Sequence, residues 1–151
     1  MRRSIILPLL LFIFVRCGDD RTPIPNYEVY VKTSYSEYQH LRTPLSHICY
    51  TYDNTYASNV KLGFGGVCVY RDMNGDLKAC DMACPYENLR GVILNFNKMP
   101  YAICSECGSK YDLSYGSGVG IEGPAKDEKS CIMRFYQKIK DNHADEITVT
   151  N

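Results

Sequence analysis

Tryptophan is absent from the 151 residues, histidine occurs three times, and 17 basic side chains balance 17 acidic ones. Zero net charge leaves no basic stripe to neutralise phosphates, so nucleic acid is not an expected partner. There is no HExxH motif among the histidines His40, His47 and His143, and no constellation that marks a catalytic centre, so the expectation is a carrier or binding module and not an enzyme. Long apolar runs are also missing. The longest, Ile5 to Val15, is too short to span a bilayer, which takes about 20 residues. No convincing amphipathic helical period is present either. Short alternating runs separated by Gly, Asn and Pro argue an all-β sandwich or small barrel.

Against those absences stand eight cysteines. The first closes a distinctive N-terminus: Met1, Arg2 and Arg3 are a basic start, Ile5–Val15 an apolar core, and Arg16 to Asp20 a sharp return to polarity, the pattern of an export signal. Cys17, Gly18, Asp19 and Asp20 resemble the start of a mature bacterial lipoprotein, with Cys17 the lipidated residue; Arg16 departs from the small residue expected before it, and a plain secretory signal is the alternative. We therefore read 1–17 as a signal peptide with a lipoprotein-type Cys17, 18–26 as a tether carrying Pro23 and Pro25, and 27–151 as a single domain. The expected location is the cell envelope, held to the membrane by a lipid anchor on the periplasmic or outer-surface side. Seven cysteines then remain, an odd number for a fully cross-linked exported domain.

Within the domain, Asn26–Thr33 and His47–Tyr52 alternate as strands, and the polar stretch between them, with Pro44, reads as a loop. Tyr35, Tyr38, Tyr50, Tyr52 and Tyr56 fit strands and edges better than a stacking surface for sugar. Val67–Arg71 and Leu77–Asp81 flank Asn74-Gly75, a strong hairpin signal because both turn positions tolerate positive φ. Asp72, Asn74 and Asp76 imitate part of a calcium loop without its distal Glu, and the turn reading is preferred. Strands are expected at Gly91–Asn95 and Tyr101–Ile103, with a turn at 97–100. Glycines 116, 118, 120 and 123 mark further turns, Cys131–Tyr136 reads as a closing strand, and the chain beyond Lys138 as an edge segment or a disordered tail.

Two cysteine clusters organise the region of about 80–125. Cys80 and Cys84 stand in ACDMACPYE, Cys104 and Cys107 in CSECGSKYD. A CxxC followed by Gly presents two thiolates on a tight turn, because the Gly permits the backbone conformation that aims amides at sulfur. Cys68 and Cys131 read as buried small hydrophobes, and Cys49 as either that or half of a disulfide.

At these residues the chain resembles the Rieske [2Fe-2S] iron-sulfur domains, in which loop one reads CxH and loop two reads CxxH, followed by GSxYD and later GPA. Cys84-Pro85-Tyr86 stands where CxH would be and Cys104 to Cys107 where CxxH would be; Gly108-Ser109-Lys110-Tyr111-Asp112 and Gly123-Pro124-Ala125 follow in order. The likeness covers Gly65 to Tyr136. Both histidine positions differ, being Tyr86 and Cys107, and Leu89 and Glu106 occupy the places where some members carry a bridging disulfide.

The resemblance implies a Rieske-like β-sandwich or barrel with two metal-loop hairpins and an electron-transfer role with a redox partner protein. Cys84 and Cys104 would hold one iron of a [2Fe-2S] cluster, and Cys107 with Tyr86 the other. Ser109 and Tyr111 would donate hydrogen bonds to cluster sulfur and a ligand Cys. Replacing imidazoles by anionic donors should move the potential from the ~−150 to +300 mV range toward the ~−400 mV of all-Cys clusters. Two alternatives remain open: a structural zinc on Cys80, Cys84, Cys104 and Cys107, or a metal-free site with cross-linked thiols.

Overall fold

The computed structural model describes residues 22–55, 59–141 and 146–151. Signal, Cys17, the first part of the expected tether, Tyr56 and His143 lie outside the described residues.

Among the described residues eleven strands make three antiparallel sheets: β1 (Val29–Lys32), β2 (His47–Tyr50), β3 (Lys61–Leu62), β4 (Val67–Arg71), β5 (Leu77–Asp81), β6 (Leu94–Lys98), β7 (Tyr101–Cys104), β8 (Lys110–Asp112), β9 (Val119–Glu122), β10 (Lys138–Asp141) and β11 (Ile147–Thr150). The sheet orders are β10-β11-β1-β3, β2-β4-β5 and β6-β7-β8-β9. This is an all-β, Rieske-like sandwich. Among the described residues no helix is long and apolar enough to cross a membrane.

The middle sheet explains the layering. Residues of a strand point alternately to opposite faces, and in β4 both faces are buried: Val67 and Val69 join one core, Cys68 and Tyr70 the other. The first core also takes Val29, Val31, Ile147 and Val149 from the outer sheet. The second takes Leu94, Phe96, Ala102 and Tyr111 from the sheet that carries the loops, with Met82 and Leu113 from the chain just after β5 and β8. A sheet buried on both faces needs an unbroken apolar run, and Val67–Tyr70 supplies one.

The β4–β5 hairpin forms as expected, pairing Val67 with Asp81 through Arg71 with Leu77. The acidic cluster at its tip is a turn: Asp72 accepts from the amides of Asn74 and Asp76, both at 2.9 Å, and Gly75 has φ +83°.

Four expectations change. The polar loop after β1 holds a short helix, α1 (Tyr35–His40), capped by Ser34, whose side chain accepts from the Glu37 amide while Glu37 accepts from the Ser34 amide. This is the Ser-x-x-Glu capping box, a signal present in the sequence. Of the tail, β10 is an edge strand as expected, but β11 is central: it lies between β10 and β1 and buries Ile147 and Val149. Residues 131–136 do not close a sheet; they run irregularly, touching β5 through one bridge between Cys80 and Phe135. Finally, the tether's end is docked: Ile24 is buried and its carbonyl accepts from Arg134 Nε at 2.6 Å.

Candidate metal centre

Three segments meet at one end of the second core. Loop one leaves β5 at Asp81, a fully buried carboxylate that accepts from the amides of Phe64 (2.8 Å), Gly65 (2.9 Å) and Ala83 (2.8 Å) and from the Tyr136 hydroxyl (2.7 Å). That cluster of donors turns the chain so that Cys84 faces inward. The Cys84 amide donates to the Val92 carbonyl at 2.9 Å and its own carbonyl accepts from Asn88 at 2.9 Å.

Loop two joins β7 to β8. Gly108, at φ +71°, donates to the Cys104 carbonyl at 3.1 Å, and the Cys104 amide donates to the Ser109 carbonyl at 2.9 Å. Glycine is the residue that takes this left-handed conformation without steric cost. The result is a tight turn with Cys104 and Cys107 on its inner side.

The third segment begins at Gly123 and makes one 3-10 turn over Pro124–Lys126. Its Ala125 amide donates to the Ser109 hydroxyl at 3.1 Å, and the Cys107 thiol donates to the same oxygen at 3.2 Å. The fit is close, since a Cβ on Gly123 would lie 2.8 Å from Ser109 Cα.

The sulfurs of Cys84, Cys104 and Cys107 all lie within 4.8 Å of one another, with Cys84 and Cys107 3.7 Å apart. Cys84 Sγ also lies 3.4 Å from the Tyr111 hydroxyl, which accepts from the Tyr86 amide at 3.3 Å. Burial pushes the Cys104 thiol up to about 12, against the opposing pull of the Cys107 and Glu106 amides. Burial, then the Cys84 thiol, raises the Tyr111 hydroxyl as well. Both groups therefore keep their protons at neutral pH. Three soft donors at this spacing suit zinc, copper(I) or iron, and such a cation would displace protons as it binds.

The other expected site residues are placed differently. Tyr86 contributes its amide to the Tyr111 hydroxyl, but its side chain is 43% exposed at the tip of loop one. Cys80 does not join the three thiols. It lies on β5 directly opposite Cys68 and its thiol donates to the Cys68 carbonyl at 3.8 Å; the chain turns at Asp81 before Cys84, so CxxxC does not present both sulfurs to one loop. The four-Cys zinc set that includes Cys80 is corrected on this ground. His40 is exposed and His47 half-buried on β2, and neither belongs to the group. Tyr52 lies under the Arg90 guanidinium, which is 4.6 Å from its ring centre.

Cys131 is buried, as expected of a small hydrophobe. It lies in the same core as Cys84 and Cys104, with Cys107 packed against that core. Its thiol is raised by burial first, then by the charge of Glu128, and further by those of Cys84 and Cys107. The only sequence signal was its place on the chain leaving the Gly-Pro-Ala turn.

No protein-family model and no curated protein matches the sequence. Among solved structures, the chain is similar to the quaternary ammonium Rieske monooxygenase CntA, with 15% identity, a TM-score of 0.55, and 81% of this chain and 30% of that one covered. It thus spans less than a third of the monooxygenase. A ferredoxin of Sphingomonas yanoikuyae B1 matches with 11% identity and a TM-score of 0.44, over 84% of this chain and 99% of its own. A chain described as an NADH-dependent nitrite reductase small subunit of Mycobacterium tuberculosis gives 15%, 0.46, 83% and 96%. The first likeness establishes the fold as Rieske-like.

Proposed function

We propose that this Rieske-like domain holds an iron-sulfur centre on Cys84, Cys104 and Cys107 and serves as an electron carrier, with no catalytic step of its own. The observation that carries the reading is the meeting of three thiols from two loops within 4.8 Å, at the end of a fold of Rieske type. When bound, a [2Fe-2S] cluster supplies one-electron chemistry. The chain's own residues would set its character. Ser109 and Tyr111, both fully buried, lie against the Cys107 and Cys84 sulfurs, where their hydroxyls can donate once the thiols are ionised. With thiolates and no imidazole, the potential should lie near about −400 mV and vary little across neutral pH.

A fourth donor would have to move in on binding; this reading assigns Cys131, which is buried in the same core but lies outside the three-sulfur group, over the exposed Tyr86 ring.

A single tetrahedral zinc is the second reading, and one distance favours it. Two thiolates about 2.3 Å from one tetrahedral ion stand about 3.8 Å apart, and Cys84 and Cys107 are 3.7 Å apart. Elemental analysis and a visible spectrum on anaerobically purified protein separate the two. A coloured protein with two irons and two sulfides, colourless after Cys84→Ser or Cys107→Ser, supports the carrier; one zinc overturns it in favour of a structural module. Cys131→Ser should weaken metal retention and Tyr86→Phe leave it unchanged; the opposite pattern returns Tyr86 to the ligand set.

The same proposal keeps the domain in the cell envelope, on its periplasmic or outer-surface side, anchored through lipid on Cys17 and open to a redox partner protein. Its support is the sequence of residues 1–20. Cys17→Ala should release the protein from the membrane fraction.

A further inference from the structure

Three cysteines outside the metal centre share one rung of the middle sheet. The register sets Cys49 of β2 opposite Cys68 of β4, and Cys68 opposite Cys80 of β5. The two pairs are not equivalent. Cys49 and Cys68 bring sulfur to sulfur at 3.3 Å, whereas Cys80 turns its thiol toward the Cys68 carbonyl. Access differs too: Cys68 and Cys80 are fully buried, while Cys49 is only partly so. Cys49 also lines a surface depression of about 300 Å³ with His47, Met82, Leu94 and Phe96.

The strand positions allow closure. Directly opposed residues in an antiparallel pair carry Cβ atoms about 4.5–5.5 Å apart, and a disulfide needs about 3.5–4.5 Å, so the strands must draw together slightly. β2 is an edge strand of its sheet, bonded only to β4, and is the strand free to make that adjustment.

We infer that Cys49 and Cys68 are a redox-modifiable pair that closes to a cross-strand disulfide in exchange with a low-molecular-weight disulfide, independently of the metal centre. Cys49, the accessible thiol, loses its proton and attacks one sulfur of the oxidant; the oxidant's S–S bond breaks and one thiol leaves with a proton. The Cys68 sulfur then gives up its proton and attacks the Cys49 sulfur of the mixed disulfide, expelling the second thiol. Two protein thiols are oxidised and one disulfide is reduced to two thiols. Burial holds the Cys68 thiol protonated, which makes the second attack the slow step.

Trypsin places the two cysteines on separate peptides, 43–61 and 62–71, each with one cysteine, while Cys80 and Cys84 share 79–90. Full-length protein is incubated with oxidised glutathione, its free thiols are alkylated, and the digest is read by mass spectrometry without reduction. A linked 43–61/62–71 peptide is expected. It should persist in Cys84→Ser, vanish in Cys49→Ser and Cys68→Ser, and disappear on reduction, and the oxidised protein should melt at a higher temperature than the reduced one. Glutathione left on Cys49 with Cys68 alkylated would overturn the inference, and so would 62–71 linked only to 79–90. Because Cys84→Ser removes the metal centre but not this pair, failure here leaves the electron-carrier reading untouched, and the converse holds.

Discussion

Asp81 is the residue on which loop one turns. Its carboxylate sits in the core with four donors on its two oxygens, three of them backbone amides. A buried charge is tolerated only when its hydrogen bonds are complete. Asp81→Asn puts an NH2 group against donors and should cost about 3 kcal/mol, read as a fall in the urea midpoint, with metal retention weakened because Cys84 loses its mount. Tyr136→Phe removes one donor of the four and should cost about 1–2 kcal/mol while leaving the loop in place. Equal losses in the two variants would show that the amides contribute little.

The decisive element is the segment after β9, which closes the site from a third side. Gly123 has φ +73° and ψ −169°, a region open essentially to glycine alone, and its missing Cβ is what lets the segment approach loop two. Gly123→Ala should destabilise the protein by about 2 kcal/mol or more. It should also speed metal loss to a chelator, since the Ala125 amide would be lifted from the Ser109 hydroxyl. Normal retention in a folded Gly123→Ala protein would remove the segment from the metal centre.

Across the whole molecule, burial raises the hydroxyls of Tyr50, Tyr70, Tyr111 and Tyr136 above the ordinary value near 10. These groups stay protonated in the folded chain at a pH where the unfolded chain would release them. Their contribution is therefore complete below about pH 10 and is lost progressively as pH rises from the unfolded value through the raised folded ones. The urea midpoint should hold between pH 7 and 9 and fall above about pH 10. Near-ultraviolet absorbance should show the buried set ionising only with unfolding. A flat midpoint through pH 11 would contradict this account.

Local chemistry was legible in the chain itself. Alternation marked β1, β2, β4 and β5, Asn74-Gly75 marked the hairpin, and the CxxC-Gly turn marked Cys104 and Cys107, because turn geometry and strand period depend on residues a few positions apart. The Ser34 capping box was equally local and went unread. What the tertiary structure decided was which distant residues meet. Cys80 and Cys84 stand four apart in sequence, yet one sulfur lies inside the middle sheet and the other at the site, since strand register and the turn at Asp81 send them different ways. The surroundings of Cys131 and the place of β11 were invisible for the complementary reason: a thiol or a strand declares its partner only when separate sheets pack, and no local pattern encodes which layers will share a core.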